Sequence, residues 1–365
     1  MKRALVIGSG QRVREAALPA LLSRPDDWQL AGIRSRKAKT IEAAGVEHRV
    51  AAFDEDGGLA AALDSVDLVY ACVSKGAVPS VLSQLEAAVR QTGATVDLLI
   101  DTPVLLFKHL ASYKRFAAFH KVWVAEDMWS LPWVDTIERA REALDLGAPK
   151  RLILSRSAYA YHGLALAKTL LDEWRLVGAK RWRTGVVSEG EPKSGETTYE
   201  RRLTFAGGRT CEVSEPRDYS LGGFLLECER GAIADRPGHP GAHVLEPILD
   251  EGVTADAVPR WLGFRIGEVE THLGPHEVKL FGEAEASSVI ARMDALKRVG
   301  FARLFDRITE GRGAYPLVEG IDDMWVDYTL EKVGRWRATP LTSARSGLAR
   351  GLMGSLTSLA GKVKG

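Results

Sequence analysis

Lys2-Arg3-Ala4-Leu5-Val6-Ile7-Gly8-Ser9-Gly10-Gln11-Arg12-Val13 is the stretch whose reading decides the fold. Residues 3–7 are a short apolar run with β-branched members, Gly8-Ser9-Gly10 is a turn, and residues 13–22 have the length and spacing of a helix. A strand, a glycine turn and a helix in that order open a dinucleotide-binding βαβ unit. The two glycines let the backbone turn tightly beside a pyrophosphate, whose charge then meets the first N–H groups of the helix. Gly8, Ser9, Gly10, Gln11 and Arg12 are therefore the expected phosphate cradle. The third glycine of G-x-G-x-x-G falls on Val13, which predicts a helix packed less closely on its strand.

Outward from this turn, residues 28–33 read as a second strand, whose end selects the cofactor in such folds. The acidic residue that binds the ribose 2′-OH of NAD is missing there, and Arg34, Ser35, Arg36 and Lys37 take its place. Guanidinium groups and a hydroxyl suit a 2′-phosphate and point to NADP(H) over NAD(H). A solvated basic turn is the plainer alternative. Helices are expected at residues 39–44, 59–63, 79–89 and 106–119, with strands at 49–53, 66–73, 96–100 and 122–125. Alternating strands and helices predict an open parallel sheet with helices on both faces, and a ligand at the strands' C-terminal ends.

The chain has 365 residues, 45% of them apolar and 27% charged, with a net charge of +1. That length allows two domains with separate cores. The balanced charge excludes the large basic excess of a nucleic-acid surface, so a small-molecule partner is expected. No basic leader with an apolar core precedes the first strand, and no window reaches the ~18 apolar residues of a membrane span. The expected location is the cytoplasm. Cys72, Cys211 and Cys228 lie in strand-like runs without C-x-x-C spacing, and core positions are expected for all three.

The G-x-G turn, the run Asp67-Leu68-Val69-Tyr70-Ala71-Cys72-Val73, the motif Asp101-Thr102-Pro103 after a strand, and a second αβ half together resemble the Gfo/Idh/MocA oxidoreductases over about residues 1–335. The resemblance implies an N-terminal Rossmann domain and a C-terminal α/β domain with an open, mainly antiparallel sheet that forms oligomer contacts. It also implies an NAD(P)-dependent enzyme acting on sugars or related small molecules. In the family a Glu-Lys-Pro motif brings a lysine to both substrate and nicotinamide; here Thr102 stands in the lysine's place, beside Asp101 and Pro103. The family's G-x-H-x-x-D pattern corresponds to Gly163-Leu164-Ala165-Leu166-Ala167-Lys168, where alanine and lysine replace the histidine and aspartate. Its strand-four loop reads Val73-Ser74-Lys75-Gly76-Ala77, with Val73 and Ser74 against the cofactor.

Three readings follow. In the first, the chemistry is rebuilt around Lys168, with Thr102 as a hydrogen-bonding group and Tyr159, Tyr161 and His162 relaying a proton. A lysine desolvated beside a bound cofactor falls toward neutrality and becomes a usable acid or base. The plainer alternative is a surface helix lysine, since Leu164, Leu170 and Leu171 turn an intervening residue outward. In the second reading Glu126 or Asp127 carries the polar chemistry, one of the two facing the substrate. In the third, the protein is a noncatalytic relative that binds a nucleotide or ligand as a scaffold or partner subunit in a biosynthetic pathway.

The domains are expected at residues 1–130 and 131–337, with a tail from 338 to 365. From residue 181 strand-length runs separated by glycine and proline turns predict a mainly antiparallel sheet, with Trp182, Tyr199 and Phe205 as candidate anchors of a homodimer or tetramer. His239 and His243 lie four apart, but the prolines and glycines of their loop forbid the helix a metal pair would need, so no metal is expected. The tail from Ala338 is basic, with Leu348, Leu352, Leu356, Leu359 and Val363 on one helical stripe. Such a segment docks on its own protein or a partner subunit, or lies on an anionic membrane surface.

Overall fold

The computed structural model describes residues 1–157, 160–218, 222–250, 261–282 and 289–338. The tail stripe and Tyr159 lie outside the described residues. The chain forms two units: one holds Met1–Ser130 and Lys297–Met324, the other Leu131–Leu296 and the described residues from Trp325 onward. Residues 297–324 return to the first unit.

The first unit is built on β1 (Lys2–Ile7), β2 (Trp28–Ser35), β3 (Lys39–Ala43), β4 (Val46–Ala52), β5 (Leu68–Ala71), β6 (Asp97–Asp101) and β7 (Val122–Ala125). Across the sheet the order is β7-β6-β5-β1-β2-β4-β3, with the two-residue strand Tyr315–Pro316 antiparallel on β7. β1 pairs in parallel with β2 on one side and β5 on the other. The chain thus reverses its direction of winding at β1, and the crevice beyond the C-terminal ends of β1 and β5 is where such sheets bind ligands. Leu68, Val69, Tyr70 and Ala71 are all buried, as a strand covered on both faces requires.

One local expectation is overturned and another is refined. Residues 39–44 form strand β3, not a helix, and pair antiparallel with β4. Ala44 and Gly45 both take positive φ, 52° and 71°, which makes the two-residue turn that matches strand twist in a hairpin. Residues 106–119 form a 3₁₀ helix, Phe107–Ala118, with Phe116 as its buried residue. The helix after the glycine turn is also irregular: Val13–Ala17 is a π-helical turn, followed by α1 (Leu18–Leu22). Pro19 explains it. Proline has no N–H for the carbonyl four residues back and its ring crowds that carbonyl, and the wider turn relieves both.

The second unit carries β8 (Pro149–Ser155), β9 (Leu176–Val186), β10 (Thr197–Phe205), β11 (Thr210–Glu215), β12 (Gly223–Cys228), β13 (Ala232–Ala234), β14 (Ala242–Leu249), β15 (Trp261–Ile266) and β16 (Val269–His272). The sheet order is β16-β15-β14-β13-β12-β8-β11-β10-β9, ending on Arg335–Arg337. Its pairs are antiparallel except β8 with β11 and β13 with β14. Trp182 is exposed on β9, whereas Phe205 is 1% exposed and belongs to the core, which removes it as a surface anchor.

An ionic cluster is sealed into this unit. Arg201 meets Glu215 at 2.9 Å, as an ion pair out of hydrogen-bond alignment, and donates from Nη1 to Asp327 at 2.5 Å. Arg181 joins Glu215 from β9 at 3.2 Å and lies over the Tyr199 ring. Removing one partner of a buried pair strands the other charge. Arg201→Ala is therefore expected to lower unfolding stability by about 3–5 kcal/mol in urea titrations, while an exposed-residue control such as Arg36→Ala stays within about 0.5 kcal/mol.

Candidate functional site

β1 ends in a clamp. The Gly8 amide donates to Arg34 O at 2.8 Å, and the Cys72 amide donates to Ile7 O at 2.8 Å. Gly8 has φ +120°, and a Cβ on it would stand 1.8 Å from the Cys72 carbonyl oxygen, so the clamp admits only glycine. At Gly10 the corresponding direction is open, with nothing within 4 Å. Arg14 N makes the first intrahelical bond, to Gly10 O at 3.1 Å. The amides of Gln11, Arg12 and Val13 precede that bond and form the N-terminal turn that favours anions. Gln11 is exposed, and its Nε2 donates to Glu15. Val13 is fully buried.

The Arg12 side chain leaves this turn and crosses to the ends of β6 and β7. Its Nε donates to Asp101 at 2.7 Å, and its Nη2 donates to Asp127 at 3.0 Å and to Ala125 O at 3.2 Å. The guanidinium lies 4.8 Å over the Phe301 ring. Burial works against its charge, but Asp101 and Asp127 outweigh burial and raise its pKa further. Arg12 is thus a fixed cation.

Cys72 and Tyr70 border the same cluster. The Cys72 thiol donates to Asp101 at 3.2 Å, and burial together with the Asp101 charge pushes its pKa up. Tyr70 is completely buried, meets Phe301 edge-on, and has its pKa raised by burial and then by Asp101. Both groups stay protonated, so neither is a nucleophile at neutral pH. Glu126 and Asp127 are 2% and 1% exposed; Glu126 accepts from the Met128 amide at 3.1 Å, and Asp127 turns to Arg12. Gly300 holds the 127–130 turn close, since a Cβ there would lie 3.0 Å from Asp127 O, and Gly300 O accepts from Ser130 Oγ at 2.9 Å.

Around the β2 end the expected group divides. Arg34 is 7% exposed and spends Nη1 on Ala52 O and Glu55 O, at 2.8 and 2.6 Å. The carbonyls at and just past the end of β4 need donors, and Arg34 Nη1 supplies them. Ser35 donates to Lys37 O, and Arg36 is exposed. Val73 is half-buried and Ser74 exposed, in the turn before the helix Val78–Thr92. Thr102 is half-buried, Pro103 is buried, and the bond between them is cis.

In the second unit, Tyr161, His162 and Lys168 all lie on the helix Ala160–Leu170. Lys168 is 2% exposed, which overturns the surface alternative, because Leu164, Ala165, Leu166, Ala167 and Leu170 bury the helix on every side. Tyr161 and Lys168 are seven residues apart and share a helix face, whereas His162, whose ring is 4.3 Å from that of Tyr161, does not share it with Lys168. The first unit brings together Gly8, Gly10, Arg12, Asp101 and Asp127, with Cys72, Tyr70, Gly300 and Phe301 added by the fold. Asp127 was legible as a polar residue past a strand; Phe301 carries no local signal.

Comparison of the sequence with protein-family models and with curated proteins gives no match. Solved structures do match. A myo-inositol dehydrogenase from Corynebacterium glutamicum superposes with a TM-score of 0.60 at 13% identity, over 93% of this chain and 99% of that one. Levoglucosan dehydrogenase in complex with NADH and L-sorbose gives 0.57 at 12% identity, again over 93% and 99%. An NAD binding oxidoreductase from Klebsiella pneumoniae gives 0.56 at 12%, over the same shares. The chain therefore has the fold of Gfo/Idh/MocA-type dehydrogenases, a Rossmann sheet followed by a mainly antiparallel α/β unit.

Because the Asp101 charge raises the Cys72 pKa, Asp101→Asn is expected to lower it and speed alkylation of Cys72 by iodoacetamide at pH 8. Peptide mass spectrometry should register about tenfold in rate per unit of pKa, while Cys211 and Cys228 remain slow.

Proposed function

We propose that the protein is a nicotinamide-dinucleotide-dependent oxidoreductase that acts on a small polar, sugar-like substrate and prefers NADP(H). The observation that carries this reading is the turn at residues 8–13: a glycine clamp, an open space above Gly10 and an uncapped helix N-terminus at the point where the sheet reverses its winding. Those residues fit a diphosphate. Ser35 and the exposed Arg36 suit the 2′-phosphate, with Val73, Ser74, Asp101 and Pro103 along the wall. A bound dinucleotide would supply the hydride donor or acceptor. Lys168 and Tyr161, on one face of their helix, are the candidate proton-handling pair of the second unit, with His162 beside Tyr161, and Thr102 is the candidate hydrogen-bonding group of the first.

The noncatalytic reading is favoured by one specific observation. Asp101, the acid at the end of β6, is already engaged by Arg12 and Cys72, so it is not poised as a base. NADPH fluorescence titration separates the two readings. NADPH is expected to bind, Arg36→Ala to weaken it about tenfold or more with little change for NADH, and Lys168→Ala to abolish turnover in a sugar and polyol screen while leaving NADPH binding intact. Absence of binding by either coenzyme would remove the redox reading. Binding without turnover of any sugar or polyol would favour the scaffold.

A further inference from the structure

The edge of the second unit's sheet carries a charge pattern that the dinucleotide reading does not use. The strand Arg335–Arg337 closes that sheet and pairs antiparallel with β9, Arg335 opposite Lys180 and Arg337 opposite Gly178. On its other side Lys180 stands opposite Arg202 of β10. Cross-strand partners project from one face, so Arg335, Lys180 and Arg202 form a row of three cations. Arg337 and Trp182 lie two residues along their strands and share that face. Like charges set directly opposite one another repel. Of the row, Arg202 is paired, with Glu212 at 3.1 Å. Lys180, Arg335 and Arg337 are exposed and make no ion pair among the described residues. Glu212 is also held by Arg151 at 2.6 Å, and Glu200, opposite Trp182, has its pKa raised by burial and then by the Glu212 charge. Trp182 is 45% exposed beside these cations.

The chain leaves the sheet from this edge. Of its 49 basic and 48 acidic residues, seven basic and no acidic ones fall in residues 332–365, which leaves the rest of the chain with 42 against 48. This end is therefore net +7 and the remainder net −6. Past Ala338 the sequence adds Arg345, Arg350, Lys362 and Lys364, and its leucines from 348 to 359 recur at helical spacing. The segment has the sign of the Arg335–Lys180 row, so both call for the same kind of occupant, one that is anionic and accepts apolar side chains. A nucleic-acid backbone offers the charge but no apolar layer for the leucines. A bilayer of anionic lipids offers both, a charged headgroup plane above an acyl layer, with tryptophan favoured at the boundary.

We propose that Lys180, Trp182, Arg335 and Arg337, together with the residues beyond 338, form a docking surface for an anionic lipid bilayer.

Co-sedimentation of the full chain with vesicles tests this, phosphatidylcholine alone against phosphatidylcholine with roughly 30% phosphatidylglycerol. Binding to the mixed vesicles is expected to exceed that to the neutral ones by about a hundredfold, and to fall about tenfold or more between about 50 and about 500 mM salt. Each cation near an anionic leaflet is worth about fivefold in affinity. Lys180→Ser combined with Arg335→Ser and Arg337→Ser is therefore expected to weaken binding about tenfold or more. The same loss is expected from Arg345→Ser combined with Arg350→Ser, Lys362→Ser and Lys364→Ser. Lys108→Ser with Lys114→Ser, which neutralises two exposed cations of the first unit, should bind as the parent does. The lipid and salt dependences of the parent need no variant and decide the matter should either set fold poorly. The proposal is overturned if the mixed vesicles are not bound, if neutral vesicles are bound equally well, or if salt changes nothing. It is also overturned if either set of substitutions binds as the parent does, if the control pair loses as much, or if a single-stranded oligonucleotide binds the parent more tightly than the mixed vesicles do. That last result would make the edge a nucleic-acid surface.

Discussion

The ion triplet of Arg12, Asp101 and Asp127 is the constraint on which the C-terminal strand ends of the first unit depend. It ties the start of the first helix to the ends of β6 and β7 through bonds of 2.7 and 3.0 Å. A guanidinium taken out of water is tolerable only with partners in good geometry, and two carboxylates, the Ala125 carbonyl and the Phe301 face supply them. The segment after β7 is placed by the same contacts, and Gly300 and Ser130 then lock the turn against the helix Val289–Thr309. One residue of the glycine turn thus holds two strand ends.

The parallel strands were legible because burial on both faces leaves an unbroken apolar run, as in Leu68-Val69-Tyr70-Ala71. The β3–β4 hairpin was not. Its turn is Ala44-Gly45, without the asparagine or aspartate that marks positive φ in a sequence, and the short run before it suits helix and strand alike. The irregular first helix was legible in principle, since Pro19 sits inside the expected span and removes one of its bonds.

Much of the candidate site was hidden for a different reason. Arg12 finds Asp101 and Asp127 across 89 and 115 residues of chain, and no local pattern records such a pairing. Arg34 reads as a solvent-facing cation at a strand end, yet it is buried and its Nη1 is held by the carbonyls of Ala52 and Glu55, 18 and 21 residues further along the chain. For Lys168 the sequence left two readings open, a desolvated lysine beside a cofactor and a surface lysine turned outward by a stripe of leucines. The alanines between them are equally buried, so the helix has no solvent face for the lysine to reach.

Charge at the strand ends shapes what the edge can hold. Arg12 contributes one positive charge and its two aspartates one negative charge each, so the triplet is net negative by one. It therefore does not act as a cationic clamp for phosphate. The amides of the helix's first turn, beside it, carry no formal charge. Gln11 faces water and Arg12 faces the sheet, so the helical twist between two adjacent residues divides one turn between solvent and the buried ion cluster.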